Sequence, residues 1–225
     1  MKIKDHLVEG EFISEHKNRF LCTVKVKDSN YECYVPSASR LSNYIKLKGK
    51  KVLLIENKGQ NSRTKYSLFG IKFYNKYIML NLNIANKIAS EYINKKLVYD
   101  EMWSEKVVGV YKADFILNLG SNVKVVEVKG IITTSKQVIF PSVFSKRAIE
   151  QLKILLELMK EGKKVTYIYV SLSPTVEQIF INEDDIEYYT LLKECVKNGM
   201  QLIGLRSYFQ NEEIVICENV SIHFN

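Results

Sequence analysis

The chain has 225 residues, 46% of them hydrophobic, and a formal net charge of +8, enough length and apolar content for one large domain or two small ones. No apolar run reaches the roughly 18 residues that span a bilayer, and Met1-Lys2-Ile3-Lys4-Asp5-His6 lacks the apolar stretch of a secretory leader, so a cytoplasmic location without a membrane partner is expected. Cys22, Cys33, Cys195 and Cys217 show no C-x-x-C spacing, and His6, His16 and His223 lie toward the ends, which speaks against a zinc site, a disulfide framework or a Ser-His-Asp triad.

The first third reads as short strands. Glu11-Phe12-Ile13 is the first, and the run from Arg19 to Val26 alternates apolar and polar residues as a half-buried strand does. Asp28-Ser29-Asn30 reads as a turn, Tyr31 to Val35 as the returning strand, and Pro36 as its end. Lys51 to Ile55 and Tyr66 to Ile71 follow, separated by a polar loop. About five short strands in some 70 residues suggest a small barrel, with the OB-fold as the natural candidate. Phe12, Phe20, Tyr31 and Tyr34 are either core or rings on which bases could stack. Residues 1–80 hold 16 Lys and Arg against 7 Asp and Glu, a net of +9, whereas residues 81–225 hold 17 against 18. Lys46, Lys48, Lys50 and Lys51 form the densest cluster, and with Arg19 and Arg40 they are the candidate contacts to a polyanion. A lysine-rich, AT-biased genome would raise lysine throughout the chain and does not explain the asymmetry.

From Asn83 the period becomes helical. Ile84, Ala85, Ile88, Ala89, Tyr92 and Ile93 form one face, and Lys95-Lys96 suit the C-terminal end of the dipole. Ala113 to Leu117 and Val125 to Lys129 then read as two strands joined by a turn at Gly120-Ser121-Asn122. A helix from about Ser145 to Lys160 places Arg147 and Gln151 four apart on its more polar face. Val165 to Val170 is a buried strand, about Asp184 to Lys197 a helix stopped by Asn198-Gly199, and Met200 to Leu205 a last inner strand. The expected organisation is residues 1–80 as an OB-fold-like nucleic-acid-binding domain and residues 81–225 as a mixed α/β domain, with no flexible linker between them.

The candidate chemistry lies in Asp114 and Val126-Glu127-Val128-Lys129. Strand alternation points Glu127 and Lys129 one way and Val126 and Val128 the other. A hairpin would bring both carboxylates and the ammonium group together. Two carboxylates, with the Val128 carbonyl, can hold Mg²⁺ or Mn²⁺, and a nearby lysine can orient a water or neutralise charge on a phosphate. Glu91 or Glu105 could add a further carboxylate, and Gln151 and Arg147 could steady a phosphate backbone. This pattern resembles that of the PD-(D/E)XK nuclease superfamily. The bland alternative is a solvated Glu/Lys pair on a strand face.

The chain also resembles the sugar fermentation stimulation protein A (SfsA) family over nearly its full length. The resemblance rests on Asn18-Arg19-Phe20-Leu21, Asn81, Ala85-Asn86, Ala113-Asp114-Phe115, Val126 to Gly130, Phe140-Pro141 and Arg147. It implies an N-terminal OB-like domain, a C-terminal PD-(D/E)XK-like domain, DNA binding and a role in regulating sugar-utilisation genes. The chain departs from that family's pattern at three places. Val35-Pro36-Ser37-Ala38-Ser39 stands where members carry Cys-Pro-Asn-Thr-Gly, Phe140-Pro141-Ser142 where they carry Phe-Pro-Asp, and Arg147-Ala148-Ile149-Glu150-Gln151-Leu152 where they carry Arg-Gly-x-Lys-His-Leu. The acid, acid and lysine positions are intact. Three functions therefore remain open: a metal-dependent nuclease, a DNA-binding regulator without turnover, or a protein-interaction module using the barrel. No helix-turn-helix is evident, so weakly specific binding is expected. A homodimer is compatible with any of the three.

Overall fold

The structure is a computed structural model and describes residues 1–3, 5–37, 40–43, 45–59 and 62–224. The first six strands are β1 (Leu7–Glu15), β2 (Leu21–Val26), β3 (Ser29–Tyr34), β4 (Lys51–Glu56), β5 (Tyr66–Phe73) and β6 (Lys76–Met79). After helix α1 (Asn83–Lys96) come β7 (Glu101–Ser104), β8 (Val107–Val108), β9 (Tyr111–Lys112), β10 (Phe115–Leu119), β11 (Asn122–Ile131) and β12 (Gln137–Phe140). The chain ends with α2 (Lys146–Lys160), β13 (Lys164–Ser171), β14 (Gln178–Ile181), α3 (Ile186–Lys197), β15 (Gln201–Gln210), β16 (Glu213–Cys217) and β17 (Ser221–His223).

The first five strands close on themselves in the order β1-β2-β3-β5-β4-β1, the connectivity of an OB barrel. Inward positions such as Cys22, Val24, Cys33, Val52, Leu54 and Leu68 are fully buried. One turn differs from the sequence expectation. The chain reverses at Lys27-Asp28, with Lys27 at φ 53°, and Ser29 and Asn30 already belong to β3, paired with Val26 and Lys25. The longer ladder outweighs the local turn preference of Ser29-Asn30. Of the Val35-Pro36-Ser37-Ala38-Ser39 stretch, Ala38 and Ser39 lie outside the described residues.

In the second half, β11, β13 and β15 run parallel, and β10 and β7 extend the sheet antiparallel beyond β11. Helix α1 covers one face with Ile84, Ala85, Ile88, Ala89 and Ile93, against Val126, Val128, Ile168 and Val170. Helices α2 and α3 cover the other face, where Ile149, Leu152, Leu155, Tyr188 and Leu192 meet Val125, Tyr167 and Tyr169. Ser145 caps α2 by accepting from the Ala148 N–H at 3.2 Å, and Asp185 caps α3 by accepting from that of Tyr188 at 3.3 Å. The β10–β11 hairpin turns on Gly120-Ser121, with Gly120 at φ 57°.

Barrel and α/β sheet are one continuous hydrogen-bonded surface. Strand β6 pairs with β5 on one side and meets β15 at Tyr77 and Phe209 on the other. The Met79 N–H donates to the Leu172 carbonyl at 2.9 Å, and the Leu82 N–H to that of Pro36 at 3.2 Å. The first core cluster accordingly runs from Phe12 in the barrel to Leu205 in the α/β sheet. The sequence reading foresaw neither β6 nor the small strands β7, β14, β16 and β17, whose three to five residues carry too little periodicity to stand out. Strands β12, β14 and β17 form a separate three-stranded sheet. All four cysteines are free. Among the described residues, no helix is long and apolar enough to cross a membrane.

Gly204 shows how tightly this sheet is covered. A Cβ there would lie 2.3 Å from the Val220 carbonyl oxygen, a main-chain atom that cannot swing away. Gly204→Ala is expected to cost about 1–3 kcal/mol of stability in urea unfolding. Gly59→Ala, which meets nothing within 4 Å, is expected to stay within about 0.5 kcal/mol. Equal midpoints for the two variants would contradict this packing.

Candidate functional site

Glu127 and Lys129 sit on β11 where it has β13 on one side and has outrun β10 on the other. The last β10 partner is Phe115, opposite Val126. Asp114 fills the gap. It lies just before β10 rather than inside a strand, and its side chain takes the role of the missing ladder partner. Its Oδ2 accepts the Val128 N–H at 2.7 Å and its Oδ1 the Asn86 amide at 2.9 Å. Helix α1 thereby fixes the first carboxylate from the opposite side.

The second carboxylate is almost sealed. Glu127 is 4% exposed. Lys129 Nζ bridges Glu127 Oε1 and Gln151 Oε1 at 2.7 Å each, and the Tyr111 hydroxyl donates to Glu127 Oε2. The Lys129 ammonium also lies 5.5 Å from the centre of the Tyr167 ring. Burial raises the Glu127 carboxyl above its ordinary range and the Asp114 charge adds to this, while Lys129 and Tyr111 oppose it. Burial, followed by the charges of Glu127 and Asp114, pushes the Tyr111 phenol far up, so it stays a protonated donor. Tyr167, Tyr169 and Tyr188 beneath are likewise held neutral by burial.

These groups open onto a cavity of about 750 Å³. Asp114, Glu127, Lys129, Arg147 and Gln151 all line it, and Asn43 and Leu82 close it from the barrel side. The donor set suits a hard divalent cation. Each carboxylate oxygen has one protein donor and keeps a free lone pair. The Val128 carbonyl leaves the strand on the same edge as its N–H, toward Asp114.

Neither acid that the sequence offered as a possible further carboxylate joins the set. Glu91 is bound to Lys95 at 2.8 Å along α1, and Glu105, exposed, to Lys112 at 2.7 Å. Neither lines the cavity, and among the described residues no group of three or more His, Cys, Asp or Glu could hold a metal. A neighbouring lysine satisfies each of these acids locally. Tyr111 escaped the sequence reading, and Asn86 appeared there without a role. Tyr111 stands three residues before Asp114, but it is one of 14 tyrosines, and nothing in the sequence singles it out.

The cationic candidates lie around the barrel. Lys46 and Lys50 line a hollow with Lys72, Asn43 and Thr134, so this hollow shares Asn43 with the carboxylate cavity. Lys46 and Lys48 line the next one, beside Phe12 to Glu15. Lys51 is exposed at the start of β4. Arg19 lies over the Phe20 ring at 4.8 Å, and the exposed Arg40 donates to the Lys17 carbonyl at 2.9 Å. Of the four aromatics weighed, Phe12 is core and Tyr31 packs edge-on to Tyr66, whereas Phe20 and Tyr34 stay 38% and 40% exposed. Those two line a pocket with Asn18, Glu32 and Arg63 between the β1–β2 and β4–β5 loops.

Fold and site together define a two-part class: an OB barrel fused to a mixed α/β domain with a carboxylate–lysine cavity at the junction. Residues 15–80 match the SfsA N-terminal OB domain, and residues 83–213 match the sugar fermentation stimulation protein RE domain. The chain belongs to the sugar fermentation stimulation protein family. A sugar fermentation stimulation protein homolog of Clostridium kluyveri is 27% identical, over 96% of this chain and 97% of its own length. One from Caldanaerobacter subterraneus subsp. tengcongensis is 30% identical over 90% of each chain. The solved structure of Pyrococcus furiosus SfsA in complex with Ca²⁺ shares the fold, with a TM-score of 0.84 at 20% identity, covering 99% of this chain and 98% of that one.

The raised Glu127 carboxyl has a consequence for stability. With a folded pKa above the ordinary 4.5, the native state binds this proton more tightly than the unfolded chain does. Without added cation, stability is therefore expected to fall as pH rises from 4.5 through the raised value, then level off for this group. Urea midpoints measured in EDTA across that range check it. Glu127→Gln should flatten the slope, and an unchanged slope in the variant would assign it to another residue.

Proposed function

We propose that this chain binds nucleic acid, with DNA as the polymer, and hydrolyses phosphodiester bonds with Mg²⁺ or Mn²⁺ held by Asp114, Glu127 and the Val128 carbonyl. The observation that carries the reading is the convergence of two carboxylates and Lys129 at the floor of one cavity. The charge distribution supports it, because the excess cations belong to the barrel and one lysine-lined hollow adjoins the cavity. The Ca²⁺ complex of the Pyrococcus furiosus relative is consistent with an oxygen-ligated divalent cation here.

When bound, the cation supplies Lewis acidity toward a phosphate oxygen and lowers the pKa of a water. The chain's own groups do the rest. Asn86 and the Val128 N–H hold Asp114 in one orientation, and Tyr111 does the same for Glu127. Lys129, steadied by Gln151, presents an ammonium group that orients the attacking water or takes charge from a phosphate oxygen. Arg147, exposed in the first turn of α2, receives a neighbouring phosphate with the helix N-terminus behind it. Water adds to phosphorus, a sugar oxygen leaves, and the products are a phosphate monoester and a free hydroxyl. Phe20 and Tyr34, with Arg19 and Arg63, would hold the strand on the barrel.

A second reading is a regulator of sugar-utilisation genes that binds DNA without turnover. One observation favours it: Lys129 and Tyr111 each engage one oxygen of Glu127, so its charge is compensated without a metal. Labelled DNA incubated with Mg²⁺, Mn²⁺ or EDTA separates the two. Metal-dependent cleavage is expected, reduced ~10²-fold or more by Lys129→Ala and by Asp114→Ala. Binding with no cleavage by any form of the protein would leave the regulator.

The lysines make a separate prediction. Lys46→Ala with Lys50→Ala is expected to weaken DNA binding evenly across sequences. It should also flatten the slope of log K against log salt by about 1.5, reflecting two lost phosphate contacts. An unchanged slope would place the polyanion elsewhere on the barrel.

A further inference from the structure

We infer that the Val143–Phe144 tip on the rim of the carboxylate cavity is a base-stacking wedge, so that the cavity takes polynucleotides whose bases are unpaired there, single-stranded or locally opened. This rests on the nucleic-acid reading above and names its substrate class.

The tip is apolar and open to solvent, with Val143 60% and Phe144 71% exposed. It is also held firmly at both ends. The Asn182 side chain donates to the Pro141 carbonyl at 3.0 Å, and the Asn182 N–H to that of Phe140 at 2.8 Å. The Phe140 ring packs edge-on against Tyr169 at 5.1 Å, and Ser145 closes the loop by capping α2. An exposed phenylalanine on so constrained a loop is presented rather than left over. Its position gives it a partner. Ser142, Val143 and Ser145 line the cavity along with Arg147, Gln151 and Lys129, and Phe144, not itself a wall residue, lies between Val143 and Ser145 in the chain.

The two sides of the cavity differ in chemistry. Toward the barrel, Asn43 leads into the hollow of Lys46, Lys50 and Lys72, which attracts phosphates. Along β12 and the loop that follows it, the wall offers Val138, Ile139, Phe140 and Val143, with Ile139 itself 60% exposed. A strand laid across the carboxylates with its backbone on the lysine side turns its bases to the apolar side. Stacked pairs in an intact duplex do not offer their faces to such a wall, whereas an unpaired base does.

The test uses the full chain in EDTA, so binding is read without cleavage. A short oligonucleotide carrying 2-aminopurine is titrated as a single strand and as a blunt duplex, against wild type, Phe144→Ala and Phe144→Tyr. Wild type is expected to prefer the single strand and to quench its fluorescence. Phe144→Ala should weaken single-strand binding about tenfold and lose the quench, while duplex binding holds and Phe144→Tyr restores both. Equal loss on both substrates, or none on either, overturns the wedge. A shift from dimer to monomer in sedimentation of Phe144→Ala, without loss of quench, also overturns it and assigns the tip to a second copy of the chain. A parallel Mg²⁺ assay separates the two proposals. Quenching by a protein that never cleaves leaves the wedge standing without the nuclease, and cleavage with an indifferent Phe144→Ala does the reverse.

Discussion

A carboxylate on an inner strand is the constraint around which the α/β half is arranged. Glu127 lies in the middle of a sheet covered by helices on both faces, where an unpaired charge would cost several kcal/mol. The surroundings answer that cost in three ways. Lys129 comes from the same strand two residues on, Tyr111 from the short β9 hairpin, and Gln151 from α2 holds the lysine in turn. A buried ion pair of this kind adds little to stability compared with apolar packing, so folding alone does not account for its presence. Glu127 opens onto the cavity it shares with Asp114 and Lys129.

The same constraint explains where β10 begins. If β10 ran two residues further, a main-chain partner would meet Val128 and the edge would close. Instead, Asp114 turns its side chain to the Val128 N–H and leaves the carbonyl edge accessible. Helix α1 passes close over Gly130 at this point. A Cβ on Gly130 would sit 2.8 Å from Leu82 and 3.4 Å from Ala85, one residue before Asn86, which binds Asp114. Two elements that share no pattern in the sequence thus converge on one carboxylate.

The continuous sheet ties this site to the barrel. Strand β6 and the Met79–Leu172 bond carry the barrel's last strand into the α/β sheet, and Leu82 and Asn43 become cavity walls. The basic half of the chain therefore borders the acidic site directly. Lysines that sequence counting could only assign to an N-terminal cluster divide into those beside the cavity, Lys46 and Lys50, and those farther along the barrel, Lys48 and Lys51.

Local patterns were enough for much of this. Alternation along β2 and β11, the helical periods of α1 and α2, and the charge asymmetry are properties of neighbouring residues, and they determined the barrel, the helices and the pairing of Glu127 with Lys129 on one face. The position of Asp114 before a strand, the exclusion of Glu91 and Glu105, and the recruitment of Tyr111 and Asn86 were decided only in three dimensions. In the sequence Glu91 and Glu105 are only possible further carboxylates beside Asp114, and in the structure a lysine within hydrogen-bond reach claims each of them. Tyr111 is 16 residues from its partner Glu127, and Asn86 is 28 residues from its partner Asp114. Short strands such as β14 and β17 exist because neighbours supply their hydrogen bonds, and so does the sheet that joins the two halves. Periodicity reports which face of an element is apolar. Which elements meet, and which charges are left to face a cavity, depends on long-range packing that no local run of residues encodes.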